Sequence, residues 1–220
     1  MLEAVIFDMD GVLIDSFRAH FESWRALARE HGLEMTESRF TETFGRTSRE
    51  IVRHFWGNAV ESNDEIDRLD RRKEALYRDL VSRNFPVMDG AVELVDELHR
   101  EGIALAVGSS GPPENIDLAL DMLGRPALFG AVVTGMQVTR GKPDPQVFEL
   151  AASRLGVRPF RCVVVEDAPA GVEAAHRAGM KAVALLSTGR TEDDLRTVGP
   201  DLTVSSLRAI SVQRLRSLVR

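Results

Sequence analysis

Two carboxylates spaced i, i+2, Asp8 and Asp10, follow the apolar run Val5-Ile6-Phe7, and Gly11 comes directly after them. Acids this close repel unless a cation or a shared proton intervenes, so the pair calls for a divalent metal, for divided acid and base roles, or for both. An isolated Asp-x-Asp-Gly is also an ordinary polar turn, and the reading depends on what accompanies it. Three further segments do: Gly108-Ser109-Ser110-Gly111, Gly141-Lys142-Pro143-Asp144-Pro145 and Glu166-Asp167-Ala168-Pro169-Ala170-Gly171. Ser109 and Ser110 lie in a small-residue turn ahead of a helix, a reasonable cradle for an anion. Lys142 precedes Asp144-Pro145, which reads as N-cap and first helical residue, so its ammonium and a helix N-terminus can share one anion. Glu166 and Asp167 form with Asp8 a hard-oxygen set suited to Mg²⁺, and no zinc-type spacing of His and Cys exists.

These segments need a scaffold that brings them together, and the intervening sequence describes one. Charge-free runs at Ala4–Phe7, Ile103–Val107, Ala131–Thr134, Cys162–Val165 and Ala182–Leu185 read as strands buried on both faces. Helical patterns at Ala91–Arg100, Glu114–Leu123, Pro145–Leu155 and Ala170–Ala178 alternate with them. That alternation predicts an α/β fold, a Rossmann-like parallel sheet with right-handed crossovers, and a parallel sheet carries ligands at the carboxyl ends of its strands. Each polar segment sits just past a strand, so all four are expected at one edge. The regular spacing breaks between Asp15 and about Val87, where helical patterns at Phe17–His31, Arg49–Phe55 and Ile66–Arg83 replace the single helix of an ordinary crossover. The expected division is a catalytic core of residues 1–15 and 87–220 with an inserted α-helical cap domain of residues 16–86. Residues 205–220 read equally as a docked helix or a frayed tail.

Composition narrows the class. With 220 residues, 44% of them hydrophobic, the chain can bury a full core. A formal net charge of −6 argues against a nucleic-acid surface, and the basic stretch Arg68–Lys73 reads as a solvated helix face. No apolar run approaches the roughly 20 residues of a membrane span, and no secretory leader pattern opens the sequence, so a cytoplasmic protein without nucleic-acid or membrane partners is expected. The single cysteine, Cys162, excludes an internal disulfide and reads as a core residue. Nothing in the sequence fixes an oligomeric state beyond monomer or weak homodimer.

The four segments, in this order and with an insertion in this place, resemble the haloacid dehalogenase superfamily. The motifs are FDMDGVLIDS, VGSS, GKPDP and EDAPAGVEAA, and the resemblance covers essentially the whole chain. It implies that Asp8 is the nucleophile that becomes aspartyl-phosphate and that Asp10 is the general acid and base. It implies that Ser109, Ser110 and Lys142 hold the phosphoryl group, and that Asp8, the main-chain carbonyl of Asp10 and Asp167 ligate Mg²⁺, with Glu166 a ligand or just behind. The carboxylate at position 10, absent from the dehalogenase branch, favours phosphoryl transfer over cleavage of a carbon–halogen bond.

The insertion is similar to the cap of the β-phosphoglucomutase-like and phosphatase branch. By that resemblance His20 and Trp24 lie at the opening of the cap, Arg46 or Arg49 meets a second phosphate, and Lys73 matches a cap lysine. The chain departs from the mutase pattern after Ser110, where Gly111-Pro112-Pro113 stands in place of a Ser-Lys-Asn run and Asn115 follows two residues later. The expectation is a phosphatase of small phosphorylated metabolites, sugar phosphates foremost, with a phosphohexomutase as the alternative and a non-catalytic binding protein a distant third.

Overall fold

The computed structural model describes residues 1–43, 48–57, 60 and 62–219. They divide into two compact units, residues 1–15 with 85–220, and residues 16–84. The first is built on six parallel strands, β1 (Ala4–Phe7), β2 (Ala104–Gly108), β3 (Phe129–Val133), β4 (Cys162–Glu166), β5 (Lys181–Leu185) and β6 (Leu202–Val204), in the spatial order β3-β2-β1-β4-β5-β6. The order reverses between β1 and β4, the crevice where open α/β sheets bind ligands.

Strand composition explains why both faces are buried. Val5, Phe7, Leu105, Val107, Val163 and Val165 point to one side and join a cluster with the helices α5 (Ala91–Arg100), α6 (Pro113–Leu123) and α10 (Val212–Leu218). The alternate residues Ala4, Ile6, Ala106, Ala131, Val164, Ala182 and Ala184 pack under α7 (Gln146–Leu155) and α8 (Pro169–Arg177). Small residues dominate the second face, where Phe148 and Val172 fill the space, while the first is filled by long aliphatic chains. Cys162 is fully buried there, and burial pushes its thiol up to about 12.

The expected elements are shifted by one or two residues in several places. The helix after Lys142 begins at Gln146 rather than Pro145, with the Asp144 side chain accepting from the Gln146 amide at 3.1 Å. A sixth strand at Leu202–Val204 escapes sequence reading because three residues carry no periodicity, and α9 (Glu192–Arg196), with five, is also too short to register. The C-terminal segment is a docked helix, with Val212 and Leu215 buried.

The second unit holds α1 (Phe17–Glu30), α2 (Glu37–Thr41), α3 (Ser48–Trp56) and α4 (Asn63–Arg83). Phe21, Trp24, Leu27, Phe40, Ile51, Trp56, Ile66 and Leu69 form its separate core. Ser62 caps α4 by accepting from the Glu65 amide at 3.2 Å, and Thr36 caps α2 in the same way. The return segment belongs with the sheet, because Phe85 packs into the core of the first unit and the Asp15 amide donates to the Pro86 carbonyl at 2.7 Å. Among the described residues no helix is long and apolar enough to cross a membrane.

Candidate active site

The first unit carries a cluster of acids around one lysine at the β1/β4 crevice. Asp8 leaves β1 with its amide donating to the Val165 carbonyl of β4 at 3.0 Å, which fixes its backbone beside Glu166. The chain then folds into a compact turn in which Gly11 donates to Ile14 at 2.8 Å and Ile14 to Met9 at 3.1 Å. Gly11 has φ +78°, and a Cβ there would collide with the Asp167 carboxylate. Only glycine lets the two acidic segments approach so closely.

Lys142 reaches the cluster from the loop before α7. Its Nζ donates to Asp8 Oδ1 at 2.8 Å and to Glu166 Oε1 at 2.7 Å, with only 9% of the side chain exposed. The other oxygen of Glu166 accepts from the amides of Asp167 and Ala168, both at 2.8 Å, at the start of α8. That helix can host the carboxylate because residue 171 is glycine, whose missing Cβ would overlap the Glu166 side chain. Glu166 is therefore held on both sides and presents Lys142 to Asp8.

Asp8, Glu166 and Asp167 offer carboxylate oxygens that all lie within 4.8 Å of one another. Burial raises the Asp8 carboxyl well above the usual carboxylate range; Lys142 works in the opposite direction, while Glu166, Asp10 and Asp167 raise it further. Burial and Glu166 raise Asp167 to about 7, opposed by the hydrogen bond from Thr188. Burial lowers Lys142, yet Asp8 and Glu166 outweigh it and hold the ammonium well above its ordinary value. A donor set of hard oxygens with more negative than positive charge is the chemistry a divalent cation completes, so the residues present fit a metal ion.

Ser109 sits past β2, buried, with its Oγ accepting from the Gly111 amide at 3.0 Å and its hydroxyl hydrogen left for another acceptor. Ser110 is exposed. Asp10 is partly buried, and a Cβ on Gly111 would stand 3.8 Å from its Oδ2, which puts the carboxylate against the serine loop. Asp8, Asp10, Ser109, Lys142, Glu166 and Asp167 thus share one edge of one sheet.

The cap residues gather separately, within the second unit. His20 stacks on Tyr77 with ring centroids 4.1 Å apart, and its Nδ1 lies 2.9 Å from Lys73 Nζ. Lys73 also donates to Glu74 at 2.8 Å and lies over the rings of Trp24 and Tyr77 at 5.5 and 5.3 Å. Its side chain is 3% exposed, which corrects the reading of Arg68–Lys73 as a solvated face. On that stretch Arg68 and Arg72 stay at the surface, paired with Glu65 and Glu30. Trp24 is enclosed by the core of its unit, next to Trp56. Arg49 is half exposed and pairs with Asp67. Arg46 lies outside the described residues.

The residues that sequence reading missed follow β5: Ser187, Thr188 and Arg190. Ser187 Oγ donates to the Gly11 carbonyl at 2.5 Å and Thr188 Oγ1 to Asp167 Oδ2 at 2.7 Å. The signal was available, since a polar Ser-Thr-Gly-Arg follows an apolar strand whose end falls at the same edge.

Known proteins resemble this chain over most of its length. It is 37% identical over 194 residues, 87% of this chain and 89% of the relative, to validoxylamine A 7'-phosphate phosphatase of Streptomyces hygroscopicus subsp. limoneus. It is 33% identical to beta-phosphoglucomutase of Bacillus subtilis, covering 97% of this chain and 94% of that protein. A crystal structure described as a HAD hydrolase, family IA, variant 3, from Entamoeba histolytica superimposes with a TM-score of 0.91 at 25% identity, covering 99% of each chain. With residues 2–179 matching its family model, and with the acids, serine and lysine gathered at one sheet edge, the chain belongs to the haloacid dehalogenase-like hydrolases.

Proposed function

We propose that this protein is a Mg²⁺-dependent phosphatase of small phosphorylated metabolites, sugar phosphates foremost, that works through a phosphorylated Asp8. The observation that carries the reading is Lys142, held by both Asp8 and Glu166 at the crevice between β1 and β4. Asp8 is the nucleophile: one carboxylate oxygen is fixed by Lys142, and the carboxylate forms the new bond to phosphorus as the ester oxygen leaves. Asp10 delivers a proton to that oxygen, then takes one from the water that attacks the phosphorylated Asp8 and releases inorganic phosphate. Ser109, Ser110 and Lys142 hold the equatorial oxygens of the phosphoryl group, whose charge is the main thing such a site must stabilise.

Asp8, the main-chain carbonyl of Asp10 and Asp167 are the residues that would hold Mg²⁺, and Glu166 closes the acidic set while anchoring Lys142. When bound, the ion neutralises charge on the phosphoryl oxygens and on Asp8. In the cap we assign substrate recognition to His20, Lys73, Arg46 and Arg49, with Trp24 as the wall against which Lys73 lies. The cap in this reading is the second unit, residues 16–84, two residues shorter at its return than the expected 16–86. The single buried thiol asks for no oxidising compartment, and we place the enzyme in the cytoplasm, as a monomer or weak homodimer acting on a free metabolite rather than on nucleic acid or a membrane.

A second reading, a phosphohexomutase, is favoured by the relative named beta-phosphoglucomutase; Gly111-Pro112-Pro113, in place of the expected Ser-Lys-Asn, weighs against it. The test is incubation with β-glucose 1-phosphate and Mg²⁺, with and without glucose 1,6-bisphosphate, following free phosphate and glucose 6-phosphate separately. Phosphate release without isomerisation supports the phosphatase. Bisphosphate-dependent glucose 6-phosphate formation establishes the mutase, and no turnover on this or a wider panel of phosphate esters overturns both.

A further inference from the structure

The turn after β5 carries a conformational anomaly beside the acidic cluster. The Arg190 amide donates to the Ser187 carbonyl at 2.9 Å, closing a four-residue turn whose central residues, Thr188 and Gly189, have φ +54° and +77°. Two positive φ values are the pattern of a type I′ turn, in which Asn, Asp and Gly are the usual residues. Among the described residues Thr188 alone, glycines aside, has a positive φ, and a β-branched side chain is the worst suited to it. Strain of this kind persists where the surroundings over-determine it, and it points to a role for the side chain.

The surroundings of Thr188 supply that role. Its hydroxyl donates to Asp167 Oδ2 at 2.7 Å, leaving Oδ1 without that partner. Ser187 on the same turn grips the Gly11 carbonyl, and Gly11 is the residue against which Asp167 packs. Arg190 Nε stands 3.7 Å from Asp167 Oδ2, within ion-pair range but beyond hydrogen-bond distance. The turn thus orients Asp167 from one side and fixes the Asp10-Gly11 segment from the other.

We propose that Thr188 is a positioning residue for the divalent cation: it locks the rotamer of Asp167 so that one oxygen faces the ion, and it sets metal affinity without touching substrate. Hydrogen-bond partners of ligating carboxylates fix ligand orientation, and their loss weakens metal binding about 10–100-fold. The inference rests on Asp167 being a metal ligand, and the experiment separates the two claims. Mg²⁺ is titrated calorimetrically into metal-free wild type, Thr188→Ala, Thr188→Ser, Thr188→Gly and Asp167→Asn, and the midpoint of thermal unfolding is recorded with and without Mg²⁺. The expected result is a Kd for Mg²⁺ raised at least about 10-fold in Thr188→Ala and Thr188→Gly and kept near wild type in Thr188→Ser, with KM for the phosphate ester at saturating Mg²⁺ unchanged in all three. Thr188→Gly relieves the backbone and guards against misfolding of the alanine variant. Equal affinity in wild type, Thr188→Ala and Thr188→Gly, with binding abolished in Asp167→Asn, overturns the role of Thr188 and leaves the metal site standing. Equal affinity in wild type and Asp167→Asn overturns the metal assignment and the inference with it.

Discussion

Lys73 and Lys142 are both buried, one in each unit, and their surroundings teach different lessons. Lys142 meets two carboxylates, Asp8 and Glu166, with Asp10 and Asp167 close enough to raise the Asp8 carboxyl further. Its positive charge is outnumbered. Lys73 bonds one carboxylate, Glu74, together with a His20 nitrogen and the faces of Trp24 and Tyr77, and the next charges around it are one acid, Asp70, and one cation, Arg49, so charge is matched there and its stem lies on aromatic rings. A buried cation in an acidic surplus marks a place that asks for more positive charge and for chemistry; a matched one holds a local shape, here that of the residues to which substrate recognition is assigned.

The contrast is broken most severely at Asp8. Asp8→Asn removes the carboxylate proposed as nucleophile and is expected to lower kcat by at least about 10⁴-fold on any ester the wild type hydrolyses, with circular dichroism unchanged; a variant that turns over normally would overturn the assignment. Lys142→Met removes the charged donor shared by Asp8 and Glu166 and proposed to hold the phosphoryl group, and kcat/KM should fall about 10²–10³-fold. In Lys73→Met the loss should appear first in stability, because the buried Glu74 loses its ammonium partner while the Ser48 hydroxyl at 3.3 Å remains: urea unfolding is expected to show a loss of about 1–3 kcal/mol. Adding Glu74→Gln should recover much of it. If Lys73→Met proved as stable as wild type, the matched pair would be unnecessary to the shape of the second unit.

The smallest effect sharpens the comparison by pH. In the metal-free protein Asp167 is raised to about 7 and Asp8 is raised as well, so between the unfolded value near 4 and the folded value the native state binds protons that the unfolded chain has released. Stability is then expected to fall as pH rises from about 4 to 7. Millimolar Mg²⁺ should reverse the slope by favouring the ionised acids. A flat profile in chelator would mean that the acids are already compensated within the protein.

Legibility from sequence followed physical cause. Asp8, Ser109, Lys142 and Glu166 were visible because each follows an apolar run or loop whose sheet edge is dictated by parallel crossovers, and because their residue types are unusual together. The same rule applied past β5 would have flagged Ser187 and Thr188, which lack charge and match no motif. That Lys73 lies inward could not be read from Arg68–Lys73, where the helix turns one cation inward directly after three, Arg68, Arg71 and Arg72, that stay in water. The second unit also shows how far pattern reaches: α1 and α4 are long enough for periodicity to register, whereas α2, five residues held by a Thr36 cap, is not.

The Asp15 amide bonded to the Pro86 carbonyl, with Ile14 bridged to Val87, bears on ancestry as much as on architecture. Because the excursion leaves and rejoins the sheet unit at one pair of neighbouring backbones, its length enters the folding free energy of that unit only through a slowly growing closure entropy, about 0.6 kcal/mol for each doubling. Residues 16–84 are therefore an interchangeable graft. Their length and sequence can change while Asp8, Ser109, Lys142 and Glu166 stay in register on the strands and strand-end loops that carry them.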